Sequence, residues 1–150
     1  MISGNNLHKF CLIYGNQKLL VEETVTSLIA DRLKGSSHEW ALERFYSNEL
    51  LKKTVESGKQ NIEDFLISCE TLPMLTDRKV IRIDNFELIK KSRNNFEKNN
   101  QNLLYETLEK IIKNPPESMW FILTSTAMRD QDFSKSLFQS IKKSGLIKKF

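Results

Sequence analysis

Apolar residues along this chain fall into short unbroken runs, separated by longer stretches in which they recur every three or four positions. Phe10–Tyr14 (FCLIY) is apolar throughout and is followed by Gly15, which predicts a strand buried on both faces. Asn16 can then cap a helix. Its apolar stripe is Val21, Val25, Leu28, Ile29 and Leu33, with Gly35 as the stop. Trp40–Tyr46 alternates and predicts a second strand near a sheet edge, and residues 47–60 are ambiguous between a short helix and a loop. Asn61 is a suitable helix cap, with Glu63 and Asp64 in the first turn, where acids favour the helix dipole, and Ile62, Phe65, Leu66 and Cys69 share one face. That helix should stop near Leu72-Pro73, because the residue before a proline disfavours the α region.

Lys79–Ile83 predicts a third strand, closed by Asp84-Asn85. Residues 91–102 are polar and Asn-rich and read as a solvated loop or helix end. Leu104, Leu108, Ile111 and Ile112 mark an amphipathic helix stopped by Asn114-Pro115-Pro116, and Met119–Thr124 is a fourth buried strand. Phe133, Leu137, Phe138 and Ile141 form a last helical stripe ending at Ser144-Gly145, and Leu146–Phe150 supplies a fifth strand. This alternation of strand and helix predicts a three-layer α/β domain over residues 1–150, with a mainly parallel five-stranded sheet and helices on both faces. A strand that ends at the final residue leads us to expect further chain after Phe150.

Composition narrows the class. Hydrophobic residues make up 39% of the 150 residues and charged residues 28%, which suits one well-solvated globular domain. The net charge of +4, from 23 Lys+Arg against 19 Asp+Glu, permits an acidic partner without requiring nucleic acid. Cys11 and Cys69 sit inside apolar runs, as buried thiols of a reducing compartment do, and with His8 and His38 they form no zinc spacing. No apolar run approaches the ~20 residues needed to span a membrane, and the N-terminus lacks a signal-peptide core, so a cytoplasmic location is expected.

The joint between the first strand and its helix is where a phosphate-binding loop would lie. The pattern G-x-x-x-x-G-K-[ST] would need Gly, Lys and Ser/Thr after Gly15, but Leu20, Val21 and Glu22 stand there. Bulky Leu20 is expected to block close approach of a phosphate, Glu22 and Glu23 to repel it, and Lys18 is out of register. Asp84 ends the third strand where a metal-binding ATPase would carry an acidic pair, but Asn85 follows it, and the simpler reading of Asp84 is a turn or cap residue. No nucleophile–base pair stands out near Ser125 or Thr126, and no cofactor or metal is implied. Lysines cluster near the Asn-rich loop and at the C-terminus. A solvated face is the default for them, with phosphate contact by Lys142 and Lys143 as the alternative. Leu72, Pro73, Met74 and Leu75 come together after a helix stop. They either plug the end of the core or form an exposed apolar tip for a protein partner.

Taken in order, FCLIYGNQKLLVEE, LPMLTDRKVIRIDNFELIKK, NPPESMWFILTSTAMRDQDFSKSL and SGLIKKF resemble the N-terminal domain of bacterial DNA polymerase III clamp-loader delta subunits across essentially the whole chain. The resemblance implies an AAA+-like P-loop fold with a degenerate phosphate loop, followed in the family by lid and collar domains. It implies a domain that binds the sliding clamp and opens its ring in DNA replication, without ATP hydrolysis of its own. Implied partners are the clamp, the other clamp-loader subunits through the C-terminal region, and primed DNA indirectly. The family's pair of wedge residues falls on Met74 and Leu75, flanked by Leu72 and Pro73, with Met-Leu replacing the usual Leu-Phe. Two alternatives stand beside this: an active P-loop ATPase domain, or a DNA-binding module using the C-terminal lysines.

Overall fold

The computed structural model describes residues 8–34, 41–52, 60–71, 78–91 and 100–150. Five strands form one sheet: β1 (Phe10–Tyr14), β2 (Leu42–Tyr46), β3 (Lys79–Asp84), β4 (Met119–Ser125) and β5 (Leu146–Lys149). Their order across the sheet is β2-β3-β4-β1-β5, and every pairing is parallel. The helices are α1 (Lys18–Arg32), α2 (Ser47–Leu50), α3 (Ile62–Glu70), α4 (Asn100–Lys113) and α5 (Lys135–Ser144), with 3₁₀ turns at Phe86–Leu88 and Asp130–Asp132. Among the described residues, no helix is long and apolar enough to cross a membrane.

The period-two geometry of strands sorts the side chains into two cores. Cys11, Ile13, Val80, Trp120 and Ile122 point to one face and pack under Val21, Val25, Ile29 and Leu33 of α1 and its C-cap. Phe10, Leu12, Ile81, Ile83, Phe121 and Leu123 point to the other, beneath Phe65 of α3, Leu104 and Leu108 of α4, and Leu137 and Ile141 of α5. Aromatic contacts knit this second core, with Phe10 stacked on Phe121 at 4.9 Å and Phe45 edge-on to Phe65 at 5.2 Å. Both cysteines are free and buried. Burial raises the Cys11 thiol pKa despite the nearby Arg32 charge. Burial likewise pushes Cys69 up to about 12, against the lowering effect of Lys79 and with Glu43 and Glu70 adding to the rise.

Four of the five strands begin within one residue of the expected position, and β2 lies at the expected edge. One expected cap differs, and three further details fill in the reading. Asn16 does not cap α1: the N-cap is Gln17, without a side-chain bond. Asn61 forms a full capping box, its side chain accepting from the Asp64 amide while the Asp64 carboxylate accepts from the Asn61 amide. The ambiguous stretch after β2 opens with the single helical turn of α2. The Asn-rich stretch already turns helical at Asn100, while residues 92–99 lie outside the described residues.

Candidate functional site

Parallel sheets of this kind place their sites outside the carboxyl ends of the strands, where the order of connections reverses. Here β1 feeds α1 toward β2 on one side, and β4 feeds α5 toward β5 on the other, so the reversal lies between β1 and β4. A cleft of about 220 Å³ opens at that edge, lined by Gly15, Lys18, Val21 and Glu22 from the β1–α1 joint, Arg44 and Tyr46 from β2, and Arg82, Asp84, Thr124 and Ser125 from β3 and β4. Leu20 is 42% exposed and does not line the cleft, contrary to the obstruction expected of it, whereas Val21 and Glu22 do line it. Gly15 is required by geometry: its φ is +135°, and a Cβ there would sit 2.0 Å from the Phe150 carbonyl oxygen.

The floor of the cleft is an ion-pair network. Arg82, Asp84 and Thr124 fall on the α1 side of the sheet, where they meet Glu22. Arg82 donates from Nε to Asp84 Oδ1 at 2.8 Å, and from Nη2 and Nη1 to the two Glu22 oxygens at 2.6 and 3.2 Å. Asp84 Oδ1 also accepts from Thr124 Oγ1 at 2.7 Å, and its Oδ2 accepts from Arg44 Nε and Nη2 at 2.8 and 2.5 Å. The Arg44 guanidinium in turn lies 4.9 Å from the Tyr46 ring centre. Asp84 is therefore the hub of a network, not the turn or cap residue expected; Asn85, in the left-handed region at φ 61°, makes the turn.

Burial works to raise the Asp84 pKa, but hydrogen bonds from Arg82, Thr124 and Arg44 outweigh it and hold the carboxyl below its usual range. Burial also works against the Arg82 charge, and Glu22 and Asp84 together hold it above its ordinary value. Chemically, both Asp84 oxygens are engaged by cationic or hydroxyl donors, and Glu22 brings a carboxylate to the cleft lining. Ser125 donates to Glu87 Oε1 and accepts from the Ala127 amide, which fixes it as a structural hydroxyl. Among the described residues no group of three His, Cys, Asp or Glu could hold a metal ion.

At the opposite edge, where the strands begin, the chain leaves α3 at Thr71 and enters β3 at Lys79. Leu72, Pro73, Met74 and Leu75 lie outside the described residues. Their flanks are described. Lys79, with its side chain 5% exposed, bonds Ser68 O at 2.8 Å and Thr71 O at 3.4 Å and pairs with Glu43 at 3.1 Å. Arg78 donates to Arg32 O at 3.0 Å and lies over the Trp120 ring at 5.6 Å. Lys142 and Lys143 are exposed in the last turn of α5, remote in sequence from either edge cluster, where they favour the helix dipole.

The family described as DNA polymerase III, delta subunit, matches residues 11–150. The chain belongs to that family. Delta subunits are clamp-loader components, and the solved structures agree on the fold. The Bacillus subtilis DNA clamp loader delta protein superposes with a TM-score of 0.65 at 19% identity, covering 97% of this chain and 39% of that one. A DNA polymerase III gamma subunit-related protein from Thermotoga maritima gives 0.57 at 17% identity, covering 97% and 42%. The FIGL-1 AAA domain in complex with ADP gives 0.53 at 16% identity, covering 95% and 43%. This delta-family chain thus has the AAA+ fold and spans about two-fifths of the length of these structures. No curated protein sequence matches it.

Proposed function

We propose that this delta-family domain binds the sliding clamp and opens its ring during DNA replication, and that it does so as a binding device with no nucleotide turnover of its own. The observation that carries the second half is the cleft. Its position is that of a nucleotide site, but its two arginines are neutralised internally: Arg82 is committed to Glu22 and Asp84, and Asp84 to Arg82, Arg44 and Thr124. A phosphate group entering there would meet the Glu22 carboxylate and would have to displace it from Arg82, a guanidinium already paired with Asp84.

Family membership supports the first half. A clamp interface is opened by a protein that binds the open form better than the closed one, and apolar insertion beside the interface can supply that difference. The resemblance assigns the insertion to Met74 and Leu75, presented between Pro73 and the start of β3. Contacts with other clamp-loader subunits are assigned to the rest of such a chain, and primed DNA is met indirectly. The test is surface plasmon resonance against the cognate clamp. Replacing both anchors, Met74→Ser with Leu75→Ser, removes two apolar side chains from the interface. It should weaken binding by at least ~2–4 kcal/mol, roughly thirty-fold or more. A folded double variant that binds as well as the parent excludes these residues as anchors. A parent that fails to bind removes the clamp reading.

A further inference from the structure

We propose that the outward face of α5, continued by Lys149 of β5, is a contact surface for the phosphate backbone of duplex nucleic acid. The positive charge of the chain is concentrated there. Residues 133–150 hold five lysines and no Asp or Glu, so the rest of the chain carries 18 of the 23 Lys+Arg against all 19 Asp+Glu. Helical geometry gathers most of that charge on one side. Leu137, Phe138 and Ile141 turn α5 into the core. Lys135, Gln139, Lys142 and Lys143, at i, i+4, i+7 and i+8, stand exposed on the opposite side. Strand alternation adds Lys149. Ile147 packs against the same core as α5, and Lys149 lies two residues on, opposite Tyr14 in the register, on the strand that α5 covers. Lys148 falls on the other face, with its ammonium 5.1 Å from the Phe150 ring centre.

Among the described residues, Lys135, Lys142, Lys143 and Lys149 form no ion pair, whereas Arg32, Arg44, Lys79, Arg82, Lys113 and Arg129 each have one. Acids that flank α5 are engaged as well: Arg129 holds Asp132 at 3.1 Å, and Lys113 holds Glu109 of α4 at 3.9 Å. A face that served solubility alone would carry both signs, as α4 does with Glu106, Glu109, Lys110 and Lys113. An unpaired stripe of ammonium groups instead suits a polyanion, whose counterions it releases on contact. Lys135 and Lys142 are about 10 Å apart along the helix axis, and one strand of a duplex sets a phosphate about every 3.4 Å, so the stripe can meet about three of them. Phe133 and Phe138 are 4% and 8% exposed, so neither ring is free to stack an unpaired base, which favours a duplex over a single strand. Lysine is a point charge that holds a backbone without reading base edges. This surface adds a direct contact to the indirect meeting with DNA given above, and it does not depend on clamp binding.

The test is fluorescence anisotropy of a labelled DNA duplex titrated with the parent chain across a range of salt concentrations. Three or four phosphate contacts should make the affinity fall about 40- to 150-fold between 50 and 200 mM salt, a log–log slope near −3. Lys142→Gln with Lys143→Gln should lessen that slope by about 2, and Lys135→Gln alone by about 1. Lys18→Gln with Lys34→Gln removes the same charge from the α1 side of the sheet and should leave the slope unchanged. A duplex of unrelated sequence should bind equally well. The proposal is overturned if the parent fails to bind at low salt, if the α1-side pair lessens the slope as much as the α5 pair, or if affinity depends on the duplex sequence. It is overturned too if polyglutamate of matched charge binds as tightly, since the surface would then suit an acidic protein. A parent that binds the duplex but no clamp supports this surface and removes the clamp reading alone.

Discussion

Replacing Arg82 by methionine would isolate what the cleft network does. The guanidinium is 7% exposed and makes one bond to Asp84 and two to Glu22. Glu22 is 43% exposed, so on losing its partner it rehydrates, and that half of the pair is worth no more than ~1 kcal/mol. Asp84 is only 10% exposed, but it keeps Arg44 and Thr124, so it loses one charged hydrogen bond, about 1.5–3 kcal/mol. Arg82→Met should therefore destabilise the domain by about 2–4 kcal/mol, a fall in Tm of roughly 10 °C for a domain of this size. Urea and thermal unfolding followed by circular dichroism would measure it. Adding Asp84→Leu removes the buried charge left behind, and the double variant should recover part of the loss, because replacing both partners by apolar groups can be nearly neutral. An Arg82→Met variant that loses less than ~0.5 kcal/mol, the level of an ordinary surface substitution, would refute the reasoning that the Arg82 bonds to Asp84 and Glu22 stabilise the fold. The sign with pH follows from the lowered Asp84 pKa. Its contribution is complete above the unfolded carboxylate value and is lost as pH falls through the lower folded value. Asp84→Asn should flatten that acid limb below about pH 4.

Three further outcomes are expected. Gly15→Ala forces a Cβ against the Phe150 carbonyl at a positive φ, so it should cost more than ~1 kcal/mol in urea unfolding and loosen β5, read as faster amide exchange at Lys148–Phe150. Asn61→Ala removes the capping box of α3 and should cost ~1 kcal/mol, while Asn61→Asp should be close to neutral. Cys11 and Cys69 should resist a thiol reagent at pH 8 in the native protein and react at once in denaturant; rapid native labelling would contradict their burial and raised pKa values.

The layered α/β fold was legible because its signals are local. Phe10–Tyr14 and Met119–Leu123 are apolar at every position, as central parallel strands must be, and Asn61 and Pro115 punctuate helices by rules that act within a few residues. The cleft network was not legible, because its members lie far apart in sequence: Glu22 and Arg82 are 60 residues apart, and Arg44 and Asp84 are 40. Only the register that sets Arg44 beside Arg82 and Tyr46 beside Asp84 brings them together. One signal was present. An arginine flanked by isoleucines inside VIRID, once the run is taken as a strand, calls for a carboxylate partner, and Glu22 and Asp84 are acids near the joint. Lys79 escaped for the same reason, since a lysine opening a strand reads as surface until Ser68 and Glu43 are folded around it. Leu20 misled because blocking a loop depends on which way a helix faces, and α1 turns it to solvent.

The central claim, a clamp-binding domain that works without nucleotide, is tested most directly by measuring its affinity for the cognate sliding clamp with and without magnesium-ATP in the same buffer. The account predicts saturable binding with the same Kd in both, because Glu22 and Asp84 already hold Arg82 and Arg44 at the cleft floor. Binding that appears only with ATP, or no binding in either buffer, would contradict it.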